Sequence, residues 1–345
     1  MCKIKGETIL INKIILKKIL LWTLIPLAVV VISASSYALY LTQKVADVLD
    51  EGSDSRVELN RGETSSKRKP NSVVDPTKDN ISILFLGIDT SNAKGRGGKA
   101  RTDAMLLATF NEKDKSIQML SIPRDTYVYL PTMGYSDRIS HAHAYDGVDG
   151  AVAAVEEMLN VPVDYFVRLN FYGFIEIVDA LGGVEVYVPF TFREQDSNDN
   201  KGAILLEKGN QLLDGEHALA FARMRKYDND FKRGDRQQEV LKAIINKTVS
   251  LKSITKYSTI IDAVGKNMVT NLSFKDVVSL HDYFTKGSKL SMNSIKLTGT
   301  DWYNTAESGK YYFQVNDSSL EEASKALRLH LELDEEETSS VADNN

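Results

Sequence analysis

The sequence predicts an α/β sandwich in one domain, placed after a single transmembrane helix. Two observations predict it. Beyond residue 80, short apolar runs of strand character alternate with amphipathic helical stretches, the pattern of layered α/β folds. Before that, residues 19–41 (ILLWTLIPLAVVVISASSYALYL) carry no charge. As helix that run is roughly 34 Å long, enough to cross a bilayer.

Lys3, Lys5, Lys13, Lys17 and Lys18 precede the apolar run, and Asp47, Asp50 and Glu51 follow it. The positive-inside rule places residues 1–18 in the cytoplasm and everything after 41 outside. The length of the run favours an uncleaved signal-anchor over a cleaved signal peptide, and Pro26 would at most kink it. Residues 42–79 read as an extracellular stalk, polar from 48 onward with two prolines and no periodicity. The folded domain is expected over 80–331. ISILFLGI (81–88) is a near-continuous apolar run of the kind found in buried strands. AMLLATF (104–110) and SIQMLSI (116–122) repeat the pattern around a polar turn. Residues 150–159 read as helix, 163–169 as strand, 171–181 as a helix closed by Gly182-Gly183, and 184–188 as strand. Asp214 is a plausible N-cap for a helix running towards Arg225. Helices are expected at 235–250 and 273–286, a strand at 294–299, and an amphipathic helix at 318–331. Residues 332–345 read as a disordered acidic tail.

Composition narrows the function. The one cysteine, Cys2, precedes the span, so the exported part has no disulfide and no thiolate metal site. A net charge of −5 argues against nucleic acid as a partner. Against that acidic background, residues 221–238 (FARMRKYDNDFKRGDRQQ) hold Arg223, Arg225, Arg233 and Arg236. Arginine keeps its charge and presents a fixed fork of donors, which suits phosphate or pyrophosphate.

Four polar groups fall at strand ends, where α/β folds place their sites: Asp89, Arg101 to Asp103, Arg124-Asp125, and the 223–238 cluster. Asp89 and Asp103 could share a Mg²⁺ that also touches phosphate oxygens, or each could cap a turn. Arg223 and Arg225 share a face only if the chain leaves the helix near 221–223. Arg233, Arg236 and Gln237 are spaced i, i+3, i+4 on one helix face. The alternative is a solvated surface with Asp228, Asp230 and Asp235 as partners. His141 and His143 could ligate zinc from a strand, but a hydrogen-bonding role fits better without a third ligand nearby. No Walker A, His-Glu-x-x-His or Gly-x-Ser-x-Gly pattern occurs.

In order along the chain, LFLGIDT (84–90), ARTDAMLL (100–107), SIPRDTYV (121–128), HAHAYDG (141–147), VDYFVRLNF (163–171), VDALGGVEV (178–186), LDGEHALAFARMR (213–225) and DFKRGDRQQEVLKAI (230–244) resemble the LytR-CpsA-Psr family of cell-wall glycopolymer ligases. The resemblance implies a mixed central sheet flanked by helices and an apolar tunnel for a polyprenyl tail. It implies transfer of a glycan phosphate from a polyprenyl-pyrophosphate carrier to a peptidoglycan hydroxyl, assisted by Mg²⁺. By position, Asp89 and Asp103 match the metal-associated aspartates. Arg101, Arg124, Arg223, Arg225, Arg233 and Gln237 match the pyrophosphate-binding positions, and Asp230 an acidic residue that acts on the acceptor. Asp89, Arg124 and Asp230 are the expected catalytic residues. Where relatives often carry two glycines, this chain has Asp146-Gly147. The same pocket would also serve a non-catalytic attenuator that senses lipid precursors, or a lipid pyrophosphatase in which water replaces the sugar. Neither the glycan nor the oligomeric state is readable.

Overall fold

The computed structural model describes residues 40, 56–62, 64–69, 74–76, 78–89, 100–225, 230–250, 267–273, 276, 280, 290–305 and 309–334. The chain divides into two compact units, Met1–Asp47 and Val48–Asn345. Of the first, only Tyr40 is described, so the expected span at 19–41 lies almost wholly outside the described residues. Among the described residues no helix is long and apolar enough to cross a membrane.

The second unit runs β1 (Ile81–Ile88), β2 (Thr102–Asn111), β3 (Ser116–Ser121), β4 (Tyr127–Leu130), β5 (Tyr135–Arg138), α1 (Ile139–Leu159), β6 (Tyr165–Asn170), α2 (Phe171–Ala180), β7 (Val184–Val188), β8 (Phe192–Glu194), β9 (Ile204–Leu206), β10 (Gly209–Leu213), α3 (Gly215–Arg223), α4 (Asp230–Ser250), β11 (Met268–Thr270), β12 (Ser291–Ile295), β13 (Gly299–Asn304), β14 (Lys310–Val315) and α5 (Asp317–His330). Six strands form a mixed sheet in the order β11-β6-β1-β2-β3-β12. β1 pairs antiparallel with β2 and parallel with β6, which puts the strand richest in apolar residues at the centre.

Strand periodicity sorts the sheet into two faces. Leu84, Leu86, Met105 and Leu107 pack into one core with α1 and α5 residues such as Val155 and Leu327. Ile83, Leu106, Ala108 and Val167 face the other way and pack with Ile245 of α4. A third core joins α2, α3, β7 and β10 through Val178, Val184, Phe221 and Leu213. Gly215 lets α3 lie against α2, because a Cβ there would sit 2.5 Å from the Ile175 carbonyl oxygen. Asp214 caps α3, its carboxylate accepting the His217 N–H at 2.9 Å.

The structure differs from the sequence reading in several places. α1 begins at Ile139, eleven residues before the expected start, because Asp146 and Gly147 leave helical geometry and split the apolar pattern there. α4 starts at Asp230 rather than 235. β12 ends where a strand was expected to begin, and a separate hairpin, β13–β14, follows it. The helix expected at 273–286 falls mostly outside the described residues. Residues 56–62 and 64–69, assigned to the stalk, pack on the domain: Leu59 is buried, and Arg68 makes a 2.6 Å ion pair with buried Asp164. A polar composition hid this because, Leu59 apart, the contacts are made by polar and charged side chains. At the other end, Glu332 pairs with Lys113 and Asp334 with Arg328, so the domain extends beyond 331.

Candidate active site

A cavity of about 1000 Å³ opens between the α4-facing side of the sheet and helices α2, α3 and α4. Its walls are Phe85, Leu106, Val167 and Leu169 from the sheet, Phe171 and Phe174 from α2, and Leu219 from α3. α4 contributes Arg233, Gln237, Val240, Leu241 and Ile244, spaced so that all lie along one helix face. Polarity falls along that face from Arg233 to Ile244, a distance of roughly 16 Å at ~1.5 Å per residue. One end of the cavity is therefore charged and the other is hydrocarbon.

The charged end is built from chain segments far apart in sequence. Asp89 follows β1 and continues the face of Phe85 and Gly87. Asp103 has the parity of Met105 and Leu107, which face the opposite core. It nonetheless lines the cavity, because a β-bulge interrupts the β1–β2 register: Gly87 pairs with Ala104 and Ile88 with Thr102, leaving Asp103 unmatched. Arg101 lines the same space. Arg124, just past β3, reaches across, its Nη1 2.5 Å from Asp103 Oδ1, and its Nε donates to Asp125 Oδ2 at 3.4 Å.

α3 ends at Arg223, and Met224 takes extended geometry at φ −55°, ψ 130°. That exit from the helix lets Arg223 and Arg225 line one cavity. The Arg223 guanidinium lies 4.5 Å from the ring centre of Phe171. Gly234 brings α4 close to β3: a Cβ there would meet Ser121 Oγ at 2.6 Å. This close approach sets Arg233 and Gln237 beside the sheet.

The structure thus brings Asp89, Arg101, Asp103, Arg124, Arg223, Arg225, Arg233 and Gln237 to one cavity. The side chain of Asp230 lies outside the described residues, although its backbone opens α4. Arg236 does not share their role. It is buried and donates through Nε to the Phe221 carbonyl at 3.0 Å and through Nη2 to that of Met224, tying down the end of α3. His141 and His143 sit on α1, not on a strand. His141 Nδ1 is 2.6 Å from Asp137 Oδ2, and His143 Nδ1 donates to the Ala100 carbonyl at 2.9 Å, beside Arg101. Burial pushes the pKa of both rings down. Sequence reasoning missed Arg193 and Lys201, which reach the rim from the β8–β9 hairpin. The only signal for them was basic residues flanking a polar turn.

Two carboxylates on paired strand ends offer hard oxygen donors, and among the described residues no group of three or more His, Cys, Asp or Glu forms a closed metal cage. That donor set fits a magnesium ion, which takes few protein ligands and completes its shell with phosphate oxygens and water.

Comparison with known proteins places the chain in a family. The LytR_cpsA_psr family profile matches residues 44–329. The polyisoprenyl-teichoic acid–peptidoglycan teichoic acid transferase TagT of Bacillus subtilis is 46% identical over 304 residues, covering 88% of this chain and 91% of that protein. TagV of the same organism is 37% identical over 322 residues, covering 92% and 79%. A solved structure of TagT bound to LIIa-WTA superposes with a TM-score of 0.68 at 46% identity, covering 80% of this chain and 99% of that one. Another, with bound octaprenyl pyrophosphate lipid, gives a TM-score of 0.63 at 44% identity, covering 80% and 99%. With the profile spanning most of the chain and such relatives along nearly all of it, the chain belongs to the LytR-CpsA-Psr family.

Proposed function

We propose that this protein transfers a glycopolymer, such as a teichoic acid, from a polyprenyl-pyrophosphate carrier to peptidoglycan. The observation that carries the reading is one cavity that is rich in arginine at one end and apolar at the other. That gradient matches an amphiphile with a pyrophosphate head and an isoprenoid tail. Relatives named as teichoic acid transferases, and the octaprenyl pyrophosphate bound in a solved relative, support it.

In this reading Arg101, Arg124, Arg223, Arg225 and Arg233 hold the pyrophosphate oxygens, and Gln237 adds a neutral hydrogen bond. An acceptor hydroxyl oxygen attacks the phosphorus that carries the glycan. Its bond to the bridging oxygen breaks, and polyprenyl phosphate leaves with the electron pair. The hydroxyl proton passes to a carboxylate, a role for which the family resemblance points to Asp230. Little covalent chemistry is asked of the protein, so positioning and charge neutralisation supply most of the acceleration. Asp89 and Asp103 would hold Mg²⁺, which when bound neutralises charge on the phosphate oxygens. Phe85, Leu106, Phe174 and Ile244 shelter the tail from water.

The chain would be anchored by 19–41 with its catalytic domain outside the plasma membrane, a topology supported by the lysine asymmetry around that span. The reading is tested by supplying a polyprenyl-pyrophosphate glycan with and without peptidoglycan strands. Polyprenyl phosphate release that requires the acceptor supports transfer. Equal release without acceptor supports the pyrophosphatase instead, and tight binding without release the attenuator.

A further inference from the structure

Two hairpins, one following Arg124 in the chain and one paired to the first, have exposed large apolar residues that, among those described, are all aromatic: Tyr129 and Tyr135 on β4–β5, and Trp302 and Tyr303 on β13–β14. The hairpins are joined at the residues that follow Arg124. The Phe313 N–H donates to the Asp125 carbonyl at 2.9 Å, and Thr126 bridges to Phe313. Tyr127 follows Arg124 by three residues, so its Cα lies within about 11 Å of the arginine's at the maximal reach of the chain.

The rings are held rigidly. Trp302 stacks on Tyr312 at 5.2 Å with 28° between planes, and Tyr127 meets both edge-on at 5.0 Å. Tyr312 is buried, and its hydroxyl donates to Asp137 at 3.2 Å. Trp302 itself remains 37% exposed and Tyr129, one strand repeat beyond Tyr127, 49%. Nothing in folding alone requires an indole fixed on a buried tyrosine with its other surface in water.

We propose that Trp302, Tyr127 and Tyr129 form a platform for the glycan strand of the acceptor. This rests on the transfer reading above, and adds where the second substrate is held. Sugar rings present C–H faces that suit the negative faces of aromatic rings. Trp and Tyr fixed before binding lose little conformational freedom when a flexible strand settles on them. A protein partner would call for aliphatic surface mixed with the aromatics. The exposed aliphatics among the described residues, Val57, Leu205, Leu212 and Leu329, lie on other elements. The platform also adjoins Arg124 along the chain, as an acceptor delivering a hydroxyl to the pyrophosphate requires.

The test uses the full chain with Trp22→Phe, which leaves Trp302 as the single tryptophan. Soluble uncrosslinked peptidoglycan strands should change its fluorescence saturably. Trp302→Ala and Tyr129→Ala should each raise the acceptor KM five- to fifty-fold, with affinity for a polyprenyl pyrophosphate unchanged. Trp302→Phe, which preserves the stack on Tyr312, should restore most of the acceptor affinity, and the exposed Tyr129 variant guards against a folding artefact. An unchanged acceptor KM in both alanine variants overturns the platform while leaving transfer intact. Loss of a co-purifying protein with normal strand binding also overturns it. If wild-type chain binds strands through Trp302 yet transfers nothing, the platform stands and the transfer reading fails.

Discussion

Arg124 Nη1 lies 2.5 Å from Asp103 Oδ1, a cation from the end of β3 meeting a carboxylate that a β-bulge has turned out of its expected face. Both side chains are about one-third exposed, so the pair adds little to stability, within about 1 kcal/mol. Its consequence is geometric: each side chain fixes the other, and in the proposed reading Asp103 would serve the metal and Arg124 the pyrophosphate.

Asp103→Asn should therefore reduce transfer at least a hundred-fold in saturating lipid, with a melting temperature near wild type. Raising Mg²⁺ should recover part of the rate. Activity against metal concentration, measured beside thermal melting, checks this. A stable variant with unchanged magnesium dependence would remove Asp103 from the metal site.

Arg236 separates the two roles of arginine in the cluster. Arg236→Ala strips donors from the Phe221 and Met224 carbonyls in a buried setting. At ~1.5–3 kcal/mol for bonds to a charged group, stability should fall by about 2–4 kcal/mol. On a domain of this size that is a melting temperature drop of roughly 4–16 °C. Arg225→Ala, on an exposed side chain at the cavity, should do the reverse: normal melting and weakened lipid binding.

The polarity gradient along α4 predicts a dependence on tail length. Ile244→Trp fills the apolar end without touching the arginines. Affinity for an octaprenyl pyrophosphate should drop about ten-fold or more, while a ten-carbon isoprenyl pyrophosphate should bind as before. Equal losses for both would place the tail elsewhere.

Stability should fall on acidification in two stages. Burial lowers the pKa of His141, His143 and His330, so the unfolded chain binds protons that the folded chain refuses. Stability is complete above the ordinary histidine range and declines as pH falls below ~6.5. Burial alone would raise Asp137, but hydrogen bonds from Lys310 and His141 outweigh it and hold the carboxyl at about 2. Its contribution is present above ~4 and is lost as pH falls from there towards about 2. Denaturant midpoints across pH 2–8 should show both stages, and Asp137→Asn should shrink the lower one, to which Asp196, Asp214, Glu332 and Asp334 also contribute.

Much of this was readable from patterns whose cause is local. The apolar run of β1, the Asp214 cap and the Gly182-Gly183 stop each depend on neighbours in sequence. The arginine cluster was legible because charge at that density stands out in an acidic chain. Position at a strand end groups Asp103 with Asp89, but the bulge that turns it to that face is invisible without the partner strand. Helical spacing groups Arg236 with Arg233, although carbonyls from α3 claim it. The hairpin carrying Trp302 escaped because its strands mix aromatic and polar residues without clean alternation. Residues 56–62 and 64–69 escaped because one buried leucine, Leu59, is their only core contact, and polar contacts, ion pairs to Asp164 and Glu156 among them, supply the rest.

The most direct test of the central claim is the affinity of the full chain for a polyprenyl pyrophosphate, measured in wild type and in Arg124→Ala, Arg223→Ala and Arg225→Ala. Each substitution removes a charge-assisted bond of ~1.5–3 kcal/mol, so affinity should weaken roughly ten- to a hundred-fold in each, with melting near wild type. If all three variants bind the lipid as wild type does, the pyrophosphate is held elsewhere, and the cavity is not the active site.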